Sequence, residues 1–139
     1  MTFYQQQFLK IRSECYADEY ICQQVMRAKR FIDNHFSDNI DLHTIASEAS
    51  LSRFHFIRVF KRLYGRTPHQ YVISVRIEQA KRLLRANRAV KDVCFAVGFE
   101  STSSFTGLFK KATGYTPSDY PHRQQETTIT AIFKKHLQP

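Results

Sequence analysis

The chain carries one pattern twice. Phe56, Phe60, Lys61, Gly65, Thr67, Pro68 and Tyr71 recur as Phe105, Phe109, Lys110, Gly114, Thr116, Pro117 and Tyr120, each pair 49 positions apart. Upstream, Ala46, Ser50 and Leu51 align with Cys94, Gly98 and Phe99 at a spacing of 48. The second copy therefore holds one extra residue just before Ser101. Two copies are too few for a solenoid, which needs about three or more repeats to bury its faces. Duplication of a small functional unit is the better reading.

Each copy parses into two short helices. In the first, Asp41 is placed to cap a helix whose apolar stripe is Leu42, Ile45, Ala46 and Ala49. Ser50, Leu51 and Ser52 interrupt it, and Ser52 can cap a second helix. That helix sets Phe56, Val59, Phe60 and Leu63 on one inward face. Gly65 then offers a left-handed stop, and Thr67–Pro68 restarts the chain with an N-cap followed by proline at the first helical position. The second copy repeats this with Val93, Cys94 and Val97, then Gly98 at the turn, then Phe105, Leu108, Phe109 and Ala112 inward, with Gly114 and Thr116–Pro117 after them. Two short helices, a tight turn and a small residue at the crossing (Ala46, Cys94) describe a helix-turn-helix.

Between the copies, residues 68–86 read as one long amphipathic helix with Ile73, Ile77, Ala80 and Leu84 on a face that Tyr71 and Val75 widen. Ahead of the first copy, Val25, Ala28, Phe31, Ile32 and Phe36 predict a further helix. The expected fold is all-α, with about seven helices and two helix-turn-helix subdomains at 23–67 and 87–123 joined by the 68–86 helix. An N-terminal extension (1–22) and a C-terminal tail (124–139) complete it. Phe8, Leu9, Ile11, Tyr16 and Tyr20 suggest an extra helix packed against the first unit. The segment TTITAIF (127–133) favours a strand by composition.

Charge narrows the class of partner. The net charge is +9, and hydrophobic residues make up 42%, enough for a packed core. From Arg53 to Lys91 run Arg53, Arg58, Lys61, Arg62, Arg66, Arg76, Lys81, Arg82, Arg85, Arg88 and Lys91 against the single acid Glu78. A solvated helix face mixes signs; a one-signed field is what neutralising phosphates requires. No apolar run approaches the ~18 residues of a membrane span. Cys15, Cys22 and Cys94, odd in number and not closely paired, suit a reducing cytosol rather than a disulfide framework. Neither C-x-x-C nor H-E-x-x-H spacing occurs, so no catalytic residue, metal or cofactor is expected.

At 100° per residue, the inward set of the second helix leaves Phe54, Arg58 and Lys61 pointing away, flanked by Ile57 and Arg62. In a major groove Arg58 could take guanine O6 and N7, with Phe54 and Ile57 on thymine methyls. Arg53, Lys61, Arg62, Arg66, Lys81 and Arg82 suit phosphate. The matching face of the second copy is Thr102, Ser103, Thr106 and Gly107. There Ser103 and Thr106 are the base contacts, and Lys110 and Lys111 hold the backbone. Gly107 stands at the place of Arg58 and brings no donor.

These residues resemble the AraC/XylS family of bacterial transcription regulators. The resemblance spans residues 24–121 and rests on IDLHTIASEASLSRFHFIRVFKRLYGRTPHQY, on RIEQAKRLL and on DVCFAVGFESTSSFTGLFKKATGYTPSDY. It implies a cytoplasmic, nucleoid-associated DNA-binding regulator whose two recognition helices enter successive major grooves of an asymmetric double-stranded site. A monomer then suffices, and RNA polymerase is a candidate second partner. The family's base-reading places fall on Phe54, Ile57 and Arg58, and on Thr102, Ser103, Thr106 and Gly107, the last an arginine in many members. Some 22 residues precede the first helix, too few for a cupin-like effector domain, so no small-molecule effector is expected. The alternative is a protein-binding modulator of another regulator with weak or nonspecific DNA binding, which Gly107 and the outward Phe54 and Ile57 would suit.

Overall fold

A computed structural model describes residues 2–121, without the side chains of residues 11–17. The expected strand at 127–133, the tail at 124–139 and the side chains of Ile11, Cys15 and Tyr16 lie outside the described residues. Six α-helices follow one another: α1 (Phe3–His35), α2 (Leu42–Glu48), α3 (Arg53–Tyr64), α4 (Pro68–Arg85), α5 (Val90–Ala96) and α6 (Thr102–Thr113). The chain is helical again at Tyr120 and Pro121, and no strand occurs among the described residues. The fold is all-α with two helix-turn-helix units.

The chain divides into two compact units, 1–35 with 40–72, and 36–39 with 73–139. The first is built on Val25, Ala28 and Ile32 of α1, Ile45, Ala46 and Ala49 around α2, Phe56, Val59 and Phe60 of α3, and Val72. The second is built on Ile77, Ala80 and Leu84 of α4, Val93, Cys94, Val97 and Phe99 around α5, Phe105 and Phe109 of α6, and Tyr120. Burial of this apolar surface, at about 25 cal/mol per Å², is the main stabilising contribution.

The repeat survives in the atomic detail. The Phe56–Phe60 and Phe105–Phe109 ring centroids are each 5.6 Å apart. Ser52 Oγ accepts the His55 amide at 3.3 Å, and Ser101 Oγ accepts the Ser104 amide at 3.3 Å. Each second helix ends on a left-handed glycine, Gly65 at φ 75° and Gly114 at φ 83°, whose amide donates 2.8 Å to the carbonyl of Lys61 or Lys110. Thr67 and Gln70 form a reciprocal capping box at the start of α4, the side chain of each accepting the other's amide at 3.1 and 3.0 Å.

One cap is not duplicated. Asp41 accepts the Thr44 amide at 2.8 Å at the start of α2, and this hydrogen bond holds its carboxyl below the usual carboxylate range. Its counterpart before α5 is Ala89, whose backbone is extended but whose side chain makes no cap hydrogen bond. Ala89→Ser is therefore expected to stabilise the chain by about 1 kcal/mol, read as a rise in the thermal midpoint. An unchanged midpoint would show that water already satisfies those amides.

Several expectations from periodicity fail at helix ends. Leu63 is 39% exposed rather than inward, and Ala112 is exposed as well. The reason is length: α2 and α5 have seven residues and α3 and α6 twelve, so at 1.5 Å per residue the shorter partner cannot cover the longer one's last turn. Tyr64 and Tyr71 close over Phe60 instead, with centroids 4.8 and 5.7 Å away. The long linking helix presents its expected stripe of Ile73, Ile77, Ala80 and Leu84 to the second core, whereas Tyr71, expected to widen that face, packs on the first. Val72 also belongs to the first core, and Ile73 is partly buried beside the second. Rather than forming a separate helix packed on the first unit, the N-terminal residues continue α1, and Phe8, Leu9 and Tyr20 are exposed. Phe36 lies past the end of α1, in the segment that belongs with the second unit.

Candidate nucleic-acid interface

Each unit presents the second helix of its pair outward through the same local devices: a serine cap, two buried phenylalanines four residues apart, and a glycine stop. On α3 the buried Phe56, Val59 and Phe60 fix which way the remaining positions face. Arg53, Phe54, Arg58, Lys61 and Arg62 are all exposed, and Ile57 is partly buried at the edge of the set. Phe54 is 84% exposed. It does not pack on the neighbouring helix of its own unit. The helix contains no acidic residue, and Lys61 and Arg62 sit in its last turn, where the helix dipole favours cations.

On α6, Thr102, Ser103, Gly107, Lys110 and Lys111 are exposed and Thr106 is partly buried. A methyl group added at Gly107 would meet nothing within 4 Å. The two outward faces therefore differ in character. The first combines an aromatic ring, an aliphatic edge and four cations; the second is made of short hydroxyls around a gap, with two lysines at the helix end.

The remaining members of the basic field separate into different roles. Arg66 and Arg82 are exposed. Lys81 is partly buried and its ammonium donates to Glu78 at 2.7 Å, so part of its charge is already answered inside the chain. Arg76 does not belong to the outward set. Its Nε donates to the Phe36 carbonyl at 2.7 Å and its Nη2 to the Asp38 carbonyl at 3.0 Å, while the guanidinium lies 5.7 Å from the Phe99 ring centroid. Burial pulls its pKa below the ordinary arginine value, with the Glu100 carboxylate opposing. Arg76 ties the 36–39 segment to the second unit. Charge counting along the sequence could not separate it from its neighbours, because only the position of the Phe36 and Asp38 carbonyls decides what it binds.

Among the described residues no cluster of three or more His, Cys, Asp or Glu side chains could hold a metal, and no helix is long and apolar enough to cross a membrane. Burial pushes the Cys94 thiol above its ordinary pKa, the opposite of what a reactive cysteine requires.

A helix-turn-helix domain profile matches residues 45–123, which is more than half of the chain. The chain belongs to the AraC family of helix-turn-helix DNA-binding transcriptional regulators. It is 34% identical over 96 residues to an HTH-type transcriptional regulator in the cgkA 5' region of Pseudoalteromonas carrageenovora, covering 69% of this chain and 57% of that one. It is 35% identical over 91 residues to the bifunctional transcriptional activator/DNA repair enzyme AdaA of Bacillus subtilis, covering 65% and 43%. Both matches thus span about half of the relative's length. Among solved structures, the DNA-binding domain of AdpA in complex with a target DNA superposes with a TM-score of 0.70 at 30% identity, covering 74% of this chain and 94% of that one. The family resemblance read from the repeat is therefore shown, as is the all-α fold with two helix-turn-helix units.

Proposed function

We propose that this AraC-family chain is a sequence-specific regulator that places α3 and α6 in successive major grooves of one asymmetric DNA site. The observation that carries this reading is the outward face of α3, where an 84% exposed Phe54 stands among exposed arginines with no acid on the helix. Water does not favour a ring held there, whereas a groove floor of thymine methyls and guanine acceptors does. Arg58 reads guanine, and Phe54 and Ile57 read methyls. Thr102, Ser103 and Thr106 make the shorter contacts of the second half-site. Arg53, Lys61, Arg62, Arg66, Lys81, Arg82, Lys110 and Lys111 neutralise phosphate, Lys81 after exchanging its Glu78 partner. Because Gly107 offers no donor where the first unit has Arg58, the second unit anchors more than it discriminates. With both units in one chain a monomer is sufficient, and RNA polymerase is the second partner such a regulator would engage.

Selection from random duplex DNA tests this directly. The expected product is an asymmetric motif with half-sites about one helical turn apart. On that duplex, Arg58→Ala should reduce discrimination at one or two base pairs by about 1–3 kcal/mol, leaving the fold intact because the side chain is exposed. Equal weakening on every sequence would move Arg58 to the phosphate-contacting set. If no sequence is enriched, the regulator reading fails, and a protein-binding modulator becomes the better account.

A further inference from the structure

The stripe that docks α1 on the first unit runs through Ile32, Ala28 and Val25, all buried, to the partly buried Ile21. These positions are spaced by three and four residues, one face of a helix. The next place along the stripe is Asp18. Asp18 and Ile21 face His55, Arg58, Val59 and Arg62 of α3 across an open cleft of about 310 Å³. An acid thus occupies the position where α1 passes the flank of the recognition helix, opposite two of its arginines.

We propose that Asp18 restrains phosphate binding by the first recognition helix across this cleft. This rests on the reading of α3 as a DNA-contacting helix. A carboxylate beside Arg58 and Arg62 lowers the local positive potential and repels a phosphate entering the cleft. A duplex offering only its backbone loses most from that repulsion. A duplex whose base edges also engage Arg58 and Phe54 loses a smaller fraction of its binding. The acid therefore widens the gap between specific and nonspecific binding, a like-charge device against wrong partners.

The test compares the full-length chain with Asp18→Asn and with Glu19→Gln. The latter makes the same change in net charge about 100° further round the helix. Affinity for random-sequence duplex and for the selected duplex is measured at several salt concentrations, together with the salt needed for elution from heparin. Asp18→Asn is expected to tighten random-duplex binding about fivefold at low salt, to tighten selected-duplex binding less, and to elute later from heparin. Those gains should shrink as salt rises. Glu19→Gln should have less than half of each effect. Equal effects of the two variants would reduce the result to net charge and overturn the proposal, as would no effect of Asp18→Asn. Heparin elution separates this from failure of the regulator reading. A chain that selects no duplex sequence still shows there whether Asp18 opposes the arginines across the cleft.

Discussion

Replacing Gly98 with alanine is expected to destabilise the second unit by about 3 kcal/mol, from backbone strain and overpacking together. Gly98 has φ 103°, beyond the left-handed well that other residues reach at some cost. A Cβ there would come within 2.9 Å of the Phe36 carbonyl oxygen, 3.0 Å of the Ser37 carbonyl oxygen and 3.0 Å of Arg76 Nε. Two of these are backbone atoms. The third is held by its own hydrogen bond to Phe36, so none can swing aside as the tip of a flexible side chain would. The matching turn of the first unit is a control. Ser50 has φ 53°, inside the left-handed well, and already carries a Cβ; Ser50→Ala should change stability by less than about 0.5 kcal/mol.

Buried Cys94 supplies the readout. With Cys15 and Cys22 replaced by serine, its labelling by a thiol reagent reports opening of the second unit. A 3 kcal/mol loss should speed that labelling by about a hundredfold. Labelling that stays slow in Gly98→Ala would mean the 36–39 segment can move away at little cost, and that Arg76 is not holding it.

Phe60→Ala is the second large effect, a loss of about 3–5 kcal/mol. Phe60 is fully buried, and its ring is tilted against Phe56, Tyr64 and Tyr71 at 5.6, 4.8 and 5.7 Å. The neighbours are themselves rings anchored on α3 and α4, which limits how far they can collapse into the space. Since α3 is oriented by this packing, affinity for the selected duplex should fall with stability. That contrasts with Arg58→Ala, where binding falls and stability does not. Denaturant unfolding of the two variants beside their DNA titrations distinguishes the cases. A stability loss under about 1 kcal/mol for Phe60→Ala would contradict the packing described here.

Much of the fold was legible because its local signals agree with one another. The caps at Asp41, Ser52 and Ser101, the stops at Gly65 and Gly114, and the restart at Thr67–Pro68 each act over four or five residues. Their spacing repeats with the buried phenylalanines. The outward face of α3 followed from the inward one, because a helix with Phe56, Val59 and Phe60 buried has little choice about where Phe54 and Arg58 point. Exposure of Thr102, Ser103, Gly107, Lys110 and Lys111 on α6 followed in the same way, with Thr106 half-buried at the edge of that face. The tyrosines that cover Phe60 were less legible, since an aromatic at a helix end reads equally well as surface.

What the linear chain determined by itself, then, is whatever depends on neighbours within a turn or two: two copies of a helix pair, their boundaries, and the direction the second helix of each pair faces. What only the tertiary structure decided depends on where distant backbone lies. Arg76 looked like one more cation in a basic run, and became a structural tie because the Phe36 and Asp38 carbonyls, some forty residues earlier, come within 2.7 and 3.0 Å of it. Gly98 looked like a turn glycine and proved also to be a close approach of two backbones. Leu63 had the right period but lay beyond the end of its shorter partner. Asp18 sat among residues with no evident role until α1 brought it to the cleft beside Arg58 and Arg62. Periodicity assigns a residue to a face; only packing against a chain segment far away in sequence decides what that face meets.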